Sequence, residues 1–341
     1  MTPLFRMTNV VKHFRTPRGM VHAVDGVSLE IAPGEVLGLV GESGCGKSSL
    51  ARLAVRITTP DSGRIELDGV DITTLGRGQM RPHRPKMQMI FQDPFASLNP
   101  RTSVARIIEE PLIVHGRGDR AERRERVHWL MSKVGLSIES GARLPHEFSG
   151  GQRQRIGIAR ALALSPKLIV CDEPVSALDV SIRAQVINLL AALRDEFNIG
   201  YLFISHDLSV VEHVADRIAV MYLGKIVELA DRRTLWRNPL HPYTNALIAA
   251  IPEPSVGGRR KKLPMHHVDP PSPLAPPAAC RFHTRCPYAQ EVCRVVEPPL
   301  KPIEGSARFV ACHLVDDQGE SPSGPSDHVG FGESPARAIG A

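Results

Sequence analysis

Eight residues, Gly41-Glu42-Ser43-Gly44-Cys45-Gly46-Lys47-Ser48, carry the densest chemical signal in the chain. Glycines at this spacing let the backbone turn so that successive N–H groups point inward, and a helix that follows adds the positive end of its dipole. Such a loop cradles a polyphosphate. Lys47 would reach the β- and γ-phosphates, the Ser48 hydroxyl would ligate Mg²⁺, and Ser43, Gly44, Cys45, Gly46 and Ser49 would line the cradle. A glycine-rich turn alone would be an ordinary connection, so its flanks decide. Val36 to Val40 is an apolar run that reads as a buried parallel strand, and Ser49 to Val55 is rich in helix formers.

Three further strand ends bring chemistry toward such a loop. Leu168 to Cys171 is apolar and runs into Asp172-Glu173. A buried strand delivers its C-terminal end to the edge of the sheet where a phosphate loop also lies. Asp172 is then placed to complete a Mg²⁺ shell and Glu173 to polarise an attacking water. His206 follows the apolar run Tyr201 to Ile204, and Gln92 follows Met87 to Phe91. A lone histidine in that position is more often structural than catalytic; the company it keeps gives it weight. Finally, Ser149-Gly150-Gly151-Gln152 opens a helix, again presenting backbone N–H groups, a hydroxyl and a dipole to an anion. One nucleotide site does not need two such termini, so the second implies a phosphate presented by a partner.

The elements that must position these residues read as an α/β fold. Leu4–Val11 and Val21–Ile31 suggest strands, with Thr16 to Gly19 as turn material, and Gly63 to Gly69 suggests another. Together they predict a small antiparallel layer beside a mostly parallel sheet. Glu109–Val114 and Ala121–Val134 carry helical periodicity inside an insertion that runs from about 93 to 150. Strands return at Leu168, Tyr201 and Ile218, separated by helices over Ile182–Phe197 and Ser209–Ala215. The alternating elements and the change of composition after Ile251 divide the chain into a nucleotide-binding domain over 1–250 and an extension over 251–315, the latter beginning with a proline-rich linker. Residues 316–341, polar and rich in Gly, Ser and Pro, are expected to be disordered.

Composition narrows the classes. With 341 residues, 42% hydrophobic and 23% charged, the chain has ample core for a main domain plus an extension. The net charge of +6 comes partly from Arg123-Arg124 and Arg259 to Lys262, runs that read as solvated faces, with nucleic-acid binding disfavoured. The N-terminus lacks the apolar core of a signal peptide, and no apolar stretch is long enough to span a bilayer. A cytosolic, reducing setting is therefore expected.

Taken in order, these motifs resemble the nucleotide-binding subunit of an ATP-binding-cassette transporter, over Leu4 to about Ala250. Gly41–Ser48 matches the phosphate loop and Gln92 the Q-loop. Ser149 to Gln152 matches the signature, with Phe148 where leucine is usual. Leu168–Glu173 matches the Walker B strand, Ser176 to Asp179 the D-loop, and His206 the H-loop. Phe14 falls where the family stacks an aromatic on adenine; it keeps the stacking face of the usual tyrosine and loses only the hydroxyl. The resemblance implies a P-loop fold and a head-to-tail dimer with a second, identical or homologous ATPase, sandwiching two ATPs. Glu173 would be the catalytic base, His206 would contact the γ-phosphate, and Gln92 would sense Mg²⁺ and report to two membrane permease subunits. An extracytoplasmic solute-binding protein would act indirectly, and the chain would sit on the cytoplasmic face of the membrane.

Phe91 to Pro100, Pro239 to Thr244 and the tail from Cys280 to His313 further resemble the oligopeptide/dipeptide importers, which include relatives for nickel. Cys280, Cys286, Cys293 and Cys312 are four soft ligands in a reducing compartment, which suits zinc or an iron–sulfur cluster better than disulfides. Structural zinc sites often use tight C-x-x-C knuckles, and none occurs here. The family's quartet is associated with a 4Fe–4S centre, the favoured reading, with zinc the alternative and free packing thiols the plain one. Cys45 and Cys171 read as packing residues. Two rival functions fit less well: a cassette ATPase acting on DNA or ribosomes, which would bring long coiled coils or a second cassette, and a non-hydrolysing subunit, which Glu173 and His206 argue against.

Overall fold

The computed structural model describes residues 2–93, 97–251 and 271–321. Most of the expected linker and tail, at 252–270 and 322–341, lies outside the described residues. Two compact units form: Met1–Ile226 with Ser272–Pro276, and Val227 onward apart from that segment. The boundary expected near residue 250 falls inside the second unit.

In chain order the first unit holds β1 (Phe5–Thr16), β2 (Gly19–Ile31), β3 (Val36–Val40), α1 (Lys47–Ala54), β4 (Ser62–Leu67), β5 (Val70–Asp71), α2 (Arg77–Met80) and β6 (Met87–Ile90). There follow α3 (Val104–Val114), α4 (Arg120–Lys133), α5 (Gly150–Leu162), β7 (Leu168–Asp172), α6 (Val180–Phe197), β8 (Gly200–Ile204), α7 (Leu208–Val214) and β9 (Arg217–Tyr222). Every residue of β3, β7 and β8 is buried, as strands covered on both faces must be. They pair in parallel in the order β9-β3-β8-β7-β6. Because the strands are parallel, the segments that follow Val40, Ile90, Asp172 and Ile204 emerge at one edge of the sheet. The antiparallel layer has the order β2-β1-β4-β5.

The sequence placed most elements within a few residues. The chief differences are α3, which starts at Val104 rather than Glu109, and β1, which runs on to Thr16 rather than ending at Val11. Val104, Ile107, Ile108 and Leu112 share the buried face of α3, and Pro111 sits inside the helix.

The second unit contains β10 (Lys225–Asp231) from Val227 on, α8 (Arg232–Arg237), α9 (Pro242–Ala249), α10 (Glu291–Val295), β11 (Lys301–Pro302) and β12 (Phe309–Val310). β12 pairs antiparallel with β10 and β11. A small core of Leu240, Ile303, Val310, Cys312 and Val315 packs beside them. Among the described residues, no helix is long and apolar enough to cross a membrane.

Candidate functional site

The loop between β3 and α1 depends on backbone that only glycine adopts readily. Gly41, Gly44 and Gly46 have φ of +156°, +79° and +111°. A Cβ on Gly46 would stand 2.0 Å from the Ala23 carbonyl oxygen, and one on Gly41 would stand 2.2 Å from that of Met221. The loop is thus pressed against β2 and the end of β9. Lys47 is buried, and its amine donates to the carbonyls of Gly41 at 2.8 Å and Glu42 at 2.9 Å. Ser43 and Gly44 are exposed at the rim, while Ser49 is half-buried on α1. Cys45 is buried and its thiol is pushed up by that burial, which fits a packing role.

Ser48 Oγ donates to Asp172 Oδ1 at 3.1 Å, joining loop and β7. Burial raises the Asp172 carboxyl above its ordinary range, while the Ser48 hydrogen bond pulls it back. The next residue, Glu173, has φ of 49° and anchors its N–H on the Ile204 carbonyl at 3.0 Å. Its Oε2 accepts from Gln92 Nε2 at 3.0 Å and lies 3.1 Å from His206 Nδ1. Three residues picked from separate strand ends therefore meet on one carboxylate oxygen.

Ser149 and the N-terminus of α5 form a capping box. Ser149 Oγ accepts from the Gln152 N–H at 3.3 Å, and the Gln152 side chain accepts from the Ser149 N–H at 3.0 Å. Gly150 and Gly151 lie close to the D-loop and α6, where a Cβ on Gly151 would strike Ile182 at 2.3 Å. Among the described residues, no hydrogen bond of Ser149 to Gln152 reaches Gly41–Ser48. Asp179 caps α6 by position, without a side-chain hydrogen bond to it. Phe14 pairs with Val21 across the β1–β2 hairpin and exposes its ring, with Lys12 Nζ 5.5 Å from the ring centre.

Two arginines belong to the site though the sequence did not single them out. Arg160, on α5, donates to the Ser97 carbonyl at 2.5 Å and lines a cavity of about 730 Å³ with Ser48, Gln92 and Asp172. It ties the signature helix to the segment beyond Gln92. Arg183 holds Asp207 at 2.8 Å, and Asp207 caps α7 through the Ser209 N–H. The neighbour of His206 is thereby fixed. An arginine inside the apolar pattern of α5 was a visible hint; the partner of Arg183, 24 residues on, was not.

In the second unit all four cysteines of the quartet are free thiols, Cys280 half-buried and the others buried. The Cys280 N–H donates to the Cys293 carbonyl at 3.1 Å. Burial pushes Cys286 up to about 11 and Cys312 up to about 12, and neighbouring thiols of the quartet add to both. No three of the sulfurs lie within 4.8 Å of one another. A zinc tetrathiolate, with Zn–S bonds of about 2.3 Å, needs them all within about 3.8 Å. Arg281 and Arg285, which adjoin Cys280 and Cys286 in sequence, are buried.

Comparison with known proteins gives two family matches: ABC transporter over residues 24–176, and oligopeptide/dipeptide transporter, C-terminal region, over residues 227–293. The oligopeptide transport ATP-binding protein AppF of Bacillus subtilis is 53% identical over 304 residues, covering 88% of this chain and 92% of its own. The probable peptide ABC transporter ATP-binding protein y4tS of Sinorhizobium fredii is 50% identical over 318 residues, covering 91% and 90%. Among solved structures, the dimeric post-hydrolysis state of the ATP-binding cassette MJ0796 bound to ADP and Pi superposes with a TM-score of 0.62 at 29% identity. It covers 67% of this chain and 99% of that one. CbiO1 from Clostridium perfringens, part of the ABC transporter complex cbiONQ, gives 0.62 at 27%, covering 69% and 91%. With half of its residues shared along nearly the whole length of such relatives, the chain belongs to the ATP-binding-cassette transporter family, as an ATP-hydrolysing subunit of the oligopeptide/dipeptide type.

Proposed function

We propose that this ATPase drives import of di- and oligopeptides, or of a related solute, through a membrane permease. The observation that carries the enzymatic half is the Glu173 carboxylate, met by Gln92 and His206 one residue from the Ser48–Asp172 pair. The match to the oligopeptide/dipeptide transporter C-terminal region supports the cargo class.

In this reading adenine stacks on Phe14 and the phosphates lie in Gly41–Ser48, with Lys47 on the β- and γ-phosphates. The hard oxygens of Ser48, Asp172 and Gln92 suit Mg²⁺, which when bound neutralises phosphate charge. Glu173 takes a proton from the attacking water, and His206 orients that water against the γ-phosphate. Ser149 to Gln152 serves the ATP of a second subunit, because none of its hydrogen bonds reaches its own phosphate loop. The working form is then a head-to-tail dimer under two permease subunits, at the cytoplasmic face of the membrane, with a solute-binding protein outside and no nucleic acid. Residues 1–250 are the nucleotide-binding domain, about 93–150 its permease-facing helical part, 251–315 the extension and 316–341 a tail. Membranes holding the assembled transporter should take up labelled peptide only with ATP and with this chain present. Uptake that persists in its absence overturns the assignment.

The cysteine quartet is part of the same proposal as a 4Fe–4S site, supported by four free thiols set wider than zinc requires. Anaerobically purified protein should be brown and carry about four irons and four sulfides per chain. Cys286→Ser should lose them. Colourless protein carrying one zinc per chain refutes the cluster.

A further inference from the structure

We propose that His13, His22 and Asp25 form a binding site for a first-row divalent transition-metal ion beside the adenine platform. The register of the β1–β2 hairpin sets His13 directly opposite His22. Their rings lie with centroids 4.1 Å apart, tilted by 49°. Asp25 closes the third corner, with Oδ1 3.6 Å from His13 Nε2 and Oδ2 4.0 Å from His22 Nδ1. Among the described residues this is the one group of three such side chains whose ligand atoms all lie within 4.8 Å of one another. His13 Nε2 is buried and makes no hydrogen bond, an expensive arrangement for a ring nitrogen unless something binds it.

The spacing fits an ion after a small contraction. With bonds of about 2.1 Å, ligand atoms of a tetrahedral centre stand about 3.4 Å apart, so the 3.6 Å edge from Asp25 to His13 is close to the need and the 4.0 Å edge to His22 must shorten by about half an ångström. Two imidazoles and a carboxylate select zinc, iron, cobalt, nickel or copper over Mg²⁺ and Ca²⁺. Lys12 does not satisfy Asp25, since it pairs with Asp61 at 2.6 Å. Lys225 Nζ, 3.8 Å from Asp25 Oδ2, is the competing cation that an ion displaces.

The position links the ion to the nucleotide pocket. Phe14 follows His13, and Ala23, between His22 and Asp25, bears on Gly46. The Asp25 N–H donates to Gly224 O, and the Gly224 N–H donates to Cys45 O. An ion here staples the hairpin that carries Phe14 and braces the strand against which the phosphate loop rests.

Co²⁺ is the probe, titrated into full-length, nucleotide-free protein, with bound metal counted after equilibrium dialysis. His22→Gln and Asp25→Asn should each bind one equivalent fewer than the parent. The missing equivalent should carry weak visible bands without the intense sulfur-to-cobalt absorption of the cysteine site. The cysteines and Asp172 are common to all three proteins and cancel in the difference. Retention of that equivalent by either variant overturns the proposal. Should a variant's circular dichroism depart from the parent's, Lys225→Gln replaces it: severalfold tighter Co²⁺ binding supports the site, and unchanged affinity overturns it.

Discussion

Glu173→Gln lowers kcat for ATP hydrolysis by about 10²–10⁴-fold, the contribution of a positioned general base, while ATP binding persists. Glutamine has the same shape and cannot accept the proton. The backbone rather than the side chain fixes this position: the Glu173 N–H is held by Ile204 O, and its carbonyl accepts from the N–H and hydroxyl of Ser176. The left-handed φ of 49° is imposed by those bonds, so the substitution leaves the geometry in place. Lys47, Ser48 and Phe14, the proposed nucleotide contacts, are untouched. Turnover should therefore vanish from a phosphate-release assay while ATP-bound dimers accumulate in light scattering. Hydrolysis at the parental rate would move the base to another residue.

The meeting of the proposed catalytic residues was legible because each closes an apolar strand, and parallel strands end at one edge. Gln92, Asp172, Glu173 and His206 could be read from that rule one by one, and their convergence follows from the topology. What escaped depends on pairing across the chain. Arg183 finds Asp207 only after α6 and β8 are packed, and Arg160 reaches Ser97 across 63 residues. The His13–His22–Asp25 group was invisible for the same reason: it exists only once the hairpin register, shifted by bulges between Met7 and His13, sets one histidine opposite the other. The start of α3 was placed too late: Val104, Ile107 and Ile108, the apolar residues before Glu109, share a buried face with Leu112 at helical spacing.

Glu228→Ala should be among the most destabilising single changes in the second unit, costing about 3–5 kcal/mol. Glu228 is fully buried on β10. Its Oε1 accepts from the Leu240 N–H at 2.9 Å and from Arg308 Nη2 at 2.7 Å, and its Oε2 accepts from the His241 N–H at 2.9 Å. The carboxylate thus joins β10, the turn before α9 and the residue preceding β12. Removing it strands two backbone donors and takes from the buried Arg308 guanidinium the carboxylate it donates to. His241 does not take over, because burial pushes it down to about 3, its ring stays neutral and its Nδ1 accepts from the Tyr243 N–H; Asp231, whose carboxyl Arg308 helps to lower, is the remaining nearby acid. The loss should appear in urea unfolding followed by Trp236 fluorescence, a residue of α8 in the same unit. The double variant Glu228→Ala with Arg308→Met decides the cause. If the uncompensated charge dominates, removing it as well recovers part of the loss, and the two changes are less than additive. If the double variant is as unstable as the sum of the singles, the ion pair is incidental and the carboxylate matters only as a cap for Leu240 and His241.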